Sequence, residues 1–143
     1  AHITRGLPEG DFVESYSRFA KSLIAIGDGE GKDVSVGHRI EIIALTNPYT
    51  DDVSNGMHVQ VFMAGQPRAD VQVELFERPF NSDGEAKISL HTTDINGITI
   101  FPVTVGHEYM VDNVALIPIE PKVEGDPVWQ SIWANLTFYI PIK

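Results

Sequence analysis

Imidazole and carboxylate side chains are the groups in this sequence best suited to bind a ligand. The 143-residue chain has five histidines, 20 acidic residues and no cysteine. Without thiolates, a divalent transition metal such as nickel, cobalt, copper or zinc is left with imidazole and carboxylate ligands. No two histidines have the short spacing that places two imidazoles on one face, so a site needs several strands to assemble it. The predicted metal ligands are His38, His58, His91, His107 and Glu108.

Two other segments carry weaker metal-binding patterns. Asp28, Glu30 and Asp33 lie in a glycine-rich turn that is similar to part of a calcium loop but lacks its terminal glutamate. His2 would chelate copper or nickel together with the Ala1 amine, provided that Ala1 is the mature N-terminus. For each histidine, the alternative is an exposed or hydrogen-bonded side chain that holds no ligand.

The remaining chemistry of the sequence does not indicate an enzyme. There is no G-x-S-x-G elbow and no thiol nucleophile, so we expect no catalytic activity. The net charge of −10 argues against nucleic acid and anionic membranes and favours cationic partners, including metal ions. No apolar stretch approaches the ~20 residues that a membrane-spanning helix needs, so no membrane insertion is expected.

Aromatic residues are concentrated near the end of the sequence. An exposed aromatic face would indicate binding to sugar or protein, which makes carbohydrate binding a third functional hypothesis. Packing of at least one tryptophan in the core is the favoured alternative, because a sandwich needs large residues between its sheets. The cluster consists of Trp129, Trp133, Phe138 and Tyr139.

The elements that must position these side chains follow the two-residue period of β-strands. Residues 12–27 fit either a helix face or a short buried strand at 22–27, and the strand is favoured. From His38 onward the alternation predicts strands within 39–46, 57–79, 87–104, 108–119 and 133–140.

Two of these regions are predicted to be β-hairpins. The first spans 57–79 and turns at 65–70, and the second spans 87–104 and turns at Asn96-Gly97, which readily supplies a positive φ. In the second, apolar side chains at Ile88 and Leu90 share one face, so His91 is predicted to face solvent. Tyr109 and Val111 are predicted to face inward on the strand that follows.

Seven or so strands separated by turn signals predict an all-β fold, an immunoglobulin-like (transthyretin/prealbumin-like) β-sandwich. The sequence shows no βαβ spacing, so a parallel sheet is not expected. Residues 1–34 are predicted to form an N-terminal arm and a first strand that lead into the sandwich domain of residues 35–143.

Short motifs resemble those of known extracellular sandwich modules. The segment 65–71 resembles the G-x-P-x-x-x-V hairpin of carboxypeptidase-regulatory-like and transthyretin-like domains. The segment 93–101 resembles their T-D-x-x-G-x-x-x-F turn, and 106–111 resembles their G-x-x-Y-x-V strand. The resemblance implies a fold rather than a function.

A second resemblance is more selective and spans residues 16–140. The segments 16–23, 40–49 and 129–138 are similar to a bacterial periplasmic family, a numbered domain of unknown function. Its members are often labelled periplasmic components of cobalt or nickel transport systems. The resemblance implies a periplasmic or secreted location, a transport-system protein as partner, and an N-terminal domain in the same parent protein.

Two functions follow as expectations. The first is a non-catalytic periplasmic binding or accessory domain linked to uptake of divalent nickel or cobalt. The alternative is a structural immunoglobulin-like interaction or spacer module of a larger secreted protein.

Overall fold

The computed structural model describes residues 2–7 and 10–142. Within these residues the chain forms nine strands in two sheets and no α-helix, which confirms the predicted all-β sandwich. A 3-10 turn at Ile3–Arg5 precedes the first strand. The strands are β1 (Glu14–Ser22), β2 (Ile40–Ala44), β3 (Met57–Met63), β4 (Gln66–Pro67), β5 (Gln72–Pro79), β6 (Lys87–Thr92), β7 (Ile98–Phe101), β8 (His107–Pro118) and β9 (Trp129–Tyr139).

The strands are divided between a five-stranded and a four-stranded sheet. The five-stranded sheet has the order β1-β9-β8-β5-β6. In the four-stranded sheet β3 is central, with β2 on one side and β4 and β7 on the other. The core lies between the sheets, where one face of each strand is buried; it includes Ile42, Val59, Val61, Val73, Phe101, Val111, Leu136 and Phe138.

The first strand differs from the prediction in both position and pairing. The strand lies at 14–22 rather than 22–27, and Ile24 and Ile26 are exposed in the loop that follows it. Moreover, β1 pairs in parallel with β9, whereas the other strand pairs of this sheet are antiparallel. A parallel pair needs a long crossover, and here the rest of the sandwich provides it without any helix. The predicted division of the chain at residue 34 stays a prediction. β1, which lies before this point, belongs to the five-stranded sheet.

Both predicted hairpins are wrong, because the strands of each belong to different sheets. β3 pairs with β2, β4 and β7, whereas β5 pairs with β6 and β8. Likewise β6 lies in the five-stranded sheet and β7 in the four-stranded sheet. β3 does form a short hairpin with the two-residue strand β4 through Ala64-Gly65, but the chain then crosses to β5 in the other sheet, and the segment between β6 and β7 is likewise a crossover.

Hydrogen bonds join the two crossovers to each other. The hydroxyl of buried Thr93 donates to the Arg68 carbonyl (2.7 Å) and accepts from the Val71 amide (3.0 Å). Val61 donates to the Gly97 carbonyl over 2.9 Å, and a Cβ at Gly97 would lie 2.7 Å from the Val61 carbonyl oxygen. Gly97 has φ of 75°, as the predicted turn required, and its missing side chain allows this close approach.

The orientation of side chains on β8 and β6 can be compared with the predicted inward and outward faces. Tyr109 and Val111 face the core, as predicted. His91 also faces the core side, where its ring lies 5.7 Å from that of Phe101, so its predicted solvent-facing orientation is wrong. The prediction assumed that apolar Leu90 would be buried, but on edge strand β6 the apolar face is the outer one.

Candidate functional site

A cleft of about 490 Å³ lies on the outer face of the five-stranded sheet. Its floor is a row of side chains that alternate with core residues on three neighbouring strands. In this row Phe76 lies opposite Met110, which in turn lies opposite Thr137. Leu23 and Tyr49 close the cleft beyond β9, where the Tyr49 hydroxyl donates to the Leu23 carbonyl over 2.5 Å.

The apolar surface continues from the cleft to the edge of the sheet. Ile88 on β6 lies opposite Phe76 and is 56% exposed. Leu90, two residues further along β6, is 62% exposed. An antiparallel sheet with one solvated face normally carries polar side chains there, so this apolar face is an exception that indicates binding.

The near rim of the cleft is formed by an ion pair and two aromatic rings. Arg78 Nε donates to Glu108 Oε1 across neighbouring strands β5 and β8. The rings of Phe80 and Tyr139 lie 4.8 Å apart beside this pair. Glu108, one of the predicted metal ligands, is therefore engaged by a guanidinium group.

Two carboxylates face each other on the far side of the apolar row. Glu74 on β5 lies directly opposite Asp112 on β8. Asp112 is only 4% exposed and accepts a hydrogen bond from Asn135 Nδ2. Burial and, secondarily, the charge of Glu74 raise the pKa of Asp112 from 3.8 to about 6, whereas Arg18 opposes this shift.

His107 belongs to a hydrogen-bonded network at the same end of the sandwich. Its Nδ1 lies 2.9 Å from Glu77 Oε1, and the Tyr109 hydroxyl donates to the same oxygen over 2.9 Å. Thr104 N donates in turn to the Tyr109 hydroxyl over 2.7 Å. Burial alone would raise the pKa of Glu77, but the hydrogen bonds from Tyr109 and His107 hold it below its ordinary value.

The other predicted histidine ligands lie on different elements. His58 is on the outer face of β3 opposite Ile100, and the ring of His38 lies 5.1 Å from that of Phe19. His91 Nε2 lies 3.0 Å from Ser89 Oγ, and burial lowers its pKa. Among residues 2–7 and 10–142, no three His, Asp or Glu side chains are grouped so that they could hold a metal ion.

The predicted calcium turn has a structural role in the described chain. Lys21 Nζ lies 2.9 Å from Asp33 Oδ1 and 3.4 Å from Glu41 Oε1, and all three side chains are nearly buried. Asp33 Oδ2 also accepts a hydrogen bond from the Ala44 amide over 2.9 Å. Asp28 accepts from the Glu30 amide in the same turn. Asp33 therefore binds the loop to β1 and β2.

The terminal aromatics divide between packing and partial exposure. Trp129 is buried, but beneath the N-terminal segment rather than between the sheets, with the Arg5 guanidinium 4.4 Å from its ring. Its Nε1 donates to His2 Nδ1 over 3.1 Å. The guanidinium of Arg18 lies 5.0 Å from the half-buried Trp133 ring. The predicted chelate that uses the Ala1 amine lies outside the described residues.

These features define a β-sandwich domain with an open, partly apolar sheet face. A family model described as Domain of unknown function (DUF4198) matches residues 7–115, which is 109 of the 143 residues. The chain therefore belongs to this family. The comparisons with curated proteins and with solved structures gave no match. No helix in the described part of the chain is long and apolar enough to cross a membrane.

Sequence reasoning missed the cleft and the pair of Glu74 and Asp112. Each carboxylate stands next to core residues in an alternating strand, which fixes its face but not its neighbour. The cross-strand register that brings the two together depends on pairing β5 with β8, and the predicted hairpin gave β5 a different partner. The sequence alone predicted only that these acidic side chains lie on the outer face of their strands.

Proposed function

We propose that this chain is a non-catalytic binding or accessory domain that recognises a protein partner through the outer face of its five-stranded sheet. One observation carries the proposal: the apolar floor of the cleft continues without interruption to exposed Ile88 and Leu90 on edge strand β6. Contiguous exposed apolar surface on a soluble domain is characteristic of interaction sites. An edge strand adds unpaired backbone groups that a partner can use.

The setting that we propose for this domain follows from the family resemblance. The domain would act in the periplasm or outside the cell, with a transport-system protein or an N-terminal domain of the same parent protein as its partner. The carboxypeptidase-regulatory-like and transthyretin-like relationship is part of this proposal. A passive immunoglobulin-like spacer is the alternative, and it would not need an open apolar face.

A photo-crosslinking amino acid at position 90, introduced into the protein in its native cells, tests the proposal. Leu45 is a matched control, since it is also an exposed leucine at the end of a strand, with 47% exposure compared with 62% for Leu90. We expect a discrete crosslinked product from position 90 and none from position 45. The same products from both positions, or none from position 90, would contradict the proposal.

Divalent metal binding at His107 is a second candidate that one observation favours. The contact between His107 Nδ1 and Glu77 is the carboxylate–histidine arrangement that orients an imidazole for metal ligation through its other nitrogen. Further ligands would come from a partner, because the described chain groups no third ligand with this pair. The metals to consider are nickel, cobalt, copper and zinc, as the nitrogen and oxygen ligand set implies.

Isothermal titration of each metal into the protein tests this candidate. Saturable binding that is lost in His107→Ala and retained in His58→Ala would support a site at His107. His58 is a suitable control because it lies on the other sheet. The candidate fails if titration gives no saturable heat, or if both variants bind as the wild type does.

A further inference from the structure

The acidic pair beside the cleft is insufficiently neutralised by the described chain. Glu74 and Asp112 are direct cross-strand neighbours, and like charges in that position destabilise a sheet. Arg18 is the cation that acts on Asp112, and it is also held against the Trp133 ring. Arg18 on β1 lies two strands from Asp112, and Glu74 accepts a hydrogen bond from the uncharged Gln72 Nε2 over 3.2 Å.

The charge distribution on the two sides of the cleft is unequal. On one side Glu108 is paired with Arg78 and needs no further cation. On the other side Glu74 is half-exposed and directed to the same outer face as Phe76. The apolar row therefore has a neutralised rim on one side and an acidic rim on the other. A bound segment would have its cationic side chain on the acidic side.

The spacing of these features matches that of an extended chain. Asp112 and Met110 are two residues apart on β8, as are Glu74 and Phe76 on β5. Residues i and i+2 of any extended segment lie on the same side, about 7 Å apart. A segment that runs along β8 can therefore place one side chain over the acidic row and another in the cleft.

We propose that the cleft binds an extended, cationic segment of the protein partner, with a large apolar side chain over Phe76 and Met110 and a Lys or Arg two positions away over half-exposed Glu74, next to buried Asp112. This inference rests on the proposed interaction function and specifies the chemistry of the partner. The charge of −10 on the whole domain adds a general attraction for such a segment.

Titration of two capped peptides, followed by amide chemical shifts, tests this inference. The probes are Ser-Arg-Ser-Phe-Ser-Gly and the charge-reversed Ser-Glu-Ser-Phe-Ser-Gly. We expect the arginine peptide to shift amides near Glu74, Phe76, Met110 and Asp112 and to bind about fivefold tighter, since one favourable pair replaces a repulsive one. A peptide with adjacent Arg and Phe should lose this advantage, because neighbouring side chains of an extended segment point to opposite sides.

Variants of the domain assign the effect to the acidic pair. The double variant Glu74→Gln, Asp112→Asn should lose most of the preference for the arginine peptide, leaving only the general attraction of the acidic domain. Glu124→Gln, which removes one charge from an exposed loop, should keep the preference. Loss of the preference in Glu124→Gln as well would show a general charge effect and overturn the inference.

The outcomes separate this inference from the proposed function. Equal binding of both peptides in the cleft would overturn the inferred preference for a cationic segment and leave the cleft as an interaction face. No peptide binding, together with crosslinking from position 90, would overturn the inference alone. A concentration-dependent dimer with shifted amides on β6 would make a second copy the occupant and overturn it too. Failure of both peptides and crosslinking would remove both proposals.

Discussion

Glu41 and Asp112 are two buried carboxylates on the outer faces of the two sheets, and their surroundings are opposite. Glu41 is 3% exposed and Asp112 is 4% exposed. Glu41 accepts hydrogen bonds from the Val36 amide (2.8 Å) and the Ser35 hydroxyl (2.7 Å) and lies near Lys21. Burial would raise the pKa of Glu41, but these donors lower it below its ordinary value.

Burial and, secondarily, the charge of Glu74 raise the pKa of Asp112, which also has fewer donors than Glu41. The two carboxylates are equally shielded from solvent, but Asp112 lies deeper among protein atoms and is the more costly of the two to ionise. The fold can supply donors to a buried acid, as it does around Glu41. The same support is missing around Asp112, which faces Glu74 across the strand pair.

The strongest test of this contrast removes the cation beside Glu41. Lys21→Met leaves Asp33 and Glu41 as buried carboxylates without their counter-charge, so the free energy of unfolding should fall by about 3–5 kcal/mol. Urea denaturation measures the loss. Lys122→Met in an exposed loop serves as the control and should change stability by less than about 0.5 kcal/mol. A similarly small loss of unfolding free energy in both variants would mean that Lys21 does not stabilise the buried Glu41 carboxylate.

A smaller effect of opposite sign is expected when the charge of Asp112 is removed. Because the pKa of Asp112 is raised from 3.8 to about 6, the folded state holds this proton more tightly than the unfolded chain. The contribution of Asp112 to stability is therefore greatest below about pH 4 and is lost as the pH rises to about 6. The difference between these pKa values corresponds to about 3 kcal/mol.

Asp112→Asn cannot titrate, so its stability relative to the wild type should rise by about 2–3 kcal/mol between pH 4 and pH 7. Urea denaturation of both proteins across this range measures the change. Glu41→Gln provides the contrast, since the lowered pKa of Glu41 makes its contribution present above the unfolded value of 4.5 and lost in acid. A relative stability of Asp112→Asn that is independent of pH would contradict the prediction.

The smallest expected effect comes from Glu74→Gln. Removal of the facing charge should lower the pKa of Asp112 and stabilise the domain by about 0.5–1 kcal/mol at neutral pH. The carboxyl resonance of Asp112, followed by NMR as a function of pH, measures the pKa. Gln72→Glu is a useful counterpart on the same outer face, because it adds a charge two residues away along β5. An unchanged Asp112 pKa in Glu74→Gln would mean that burial alone determines it.

The fold class was predictable because alternation along a strand reports a local property, the difference between two faces. Tyr109 and Val111 were assigned correctly for that reason. Strand partners are a non-local property, and both predicted hairpins failed on it. Gly65 and Gly97 both have positive φ, but Gly65 turns β3 into the two-residue strand β4 of the same sheet, and Gly97 lies in the crossover from β6 to β7.

The candidate site was largely beyond prediction because it depends on register and on an exposed apolar face. His91 was placed outward because Ile88 and Leu90 were taken as the buried face, but on edge strand β6 these apolar side chains are the exposed ones. His107 was singled out from the sequence, but its partner Glu77 was not, since it lies 30 residues away in sequence. Its role as a metal ligand stays a prediction.

The parallel pairing of β1 with β9 has a consequence for how this chain acquires its structure during synthesis. Glu14 and Trp129 are register partners, so β1 cannot pair until β9, which is synthesised more than 100 residues later, has left the ribosome. Until then β1 lacks the strand with which it pairs in the sheet. Contacts so distant in sequence slow folding and prolong the life of an open sheet edge. Cooperative closure of this domain is therefore a late event, governed by the arrival of its C-terminal strand.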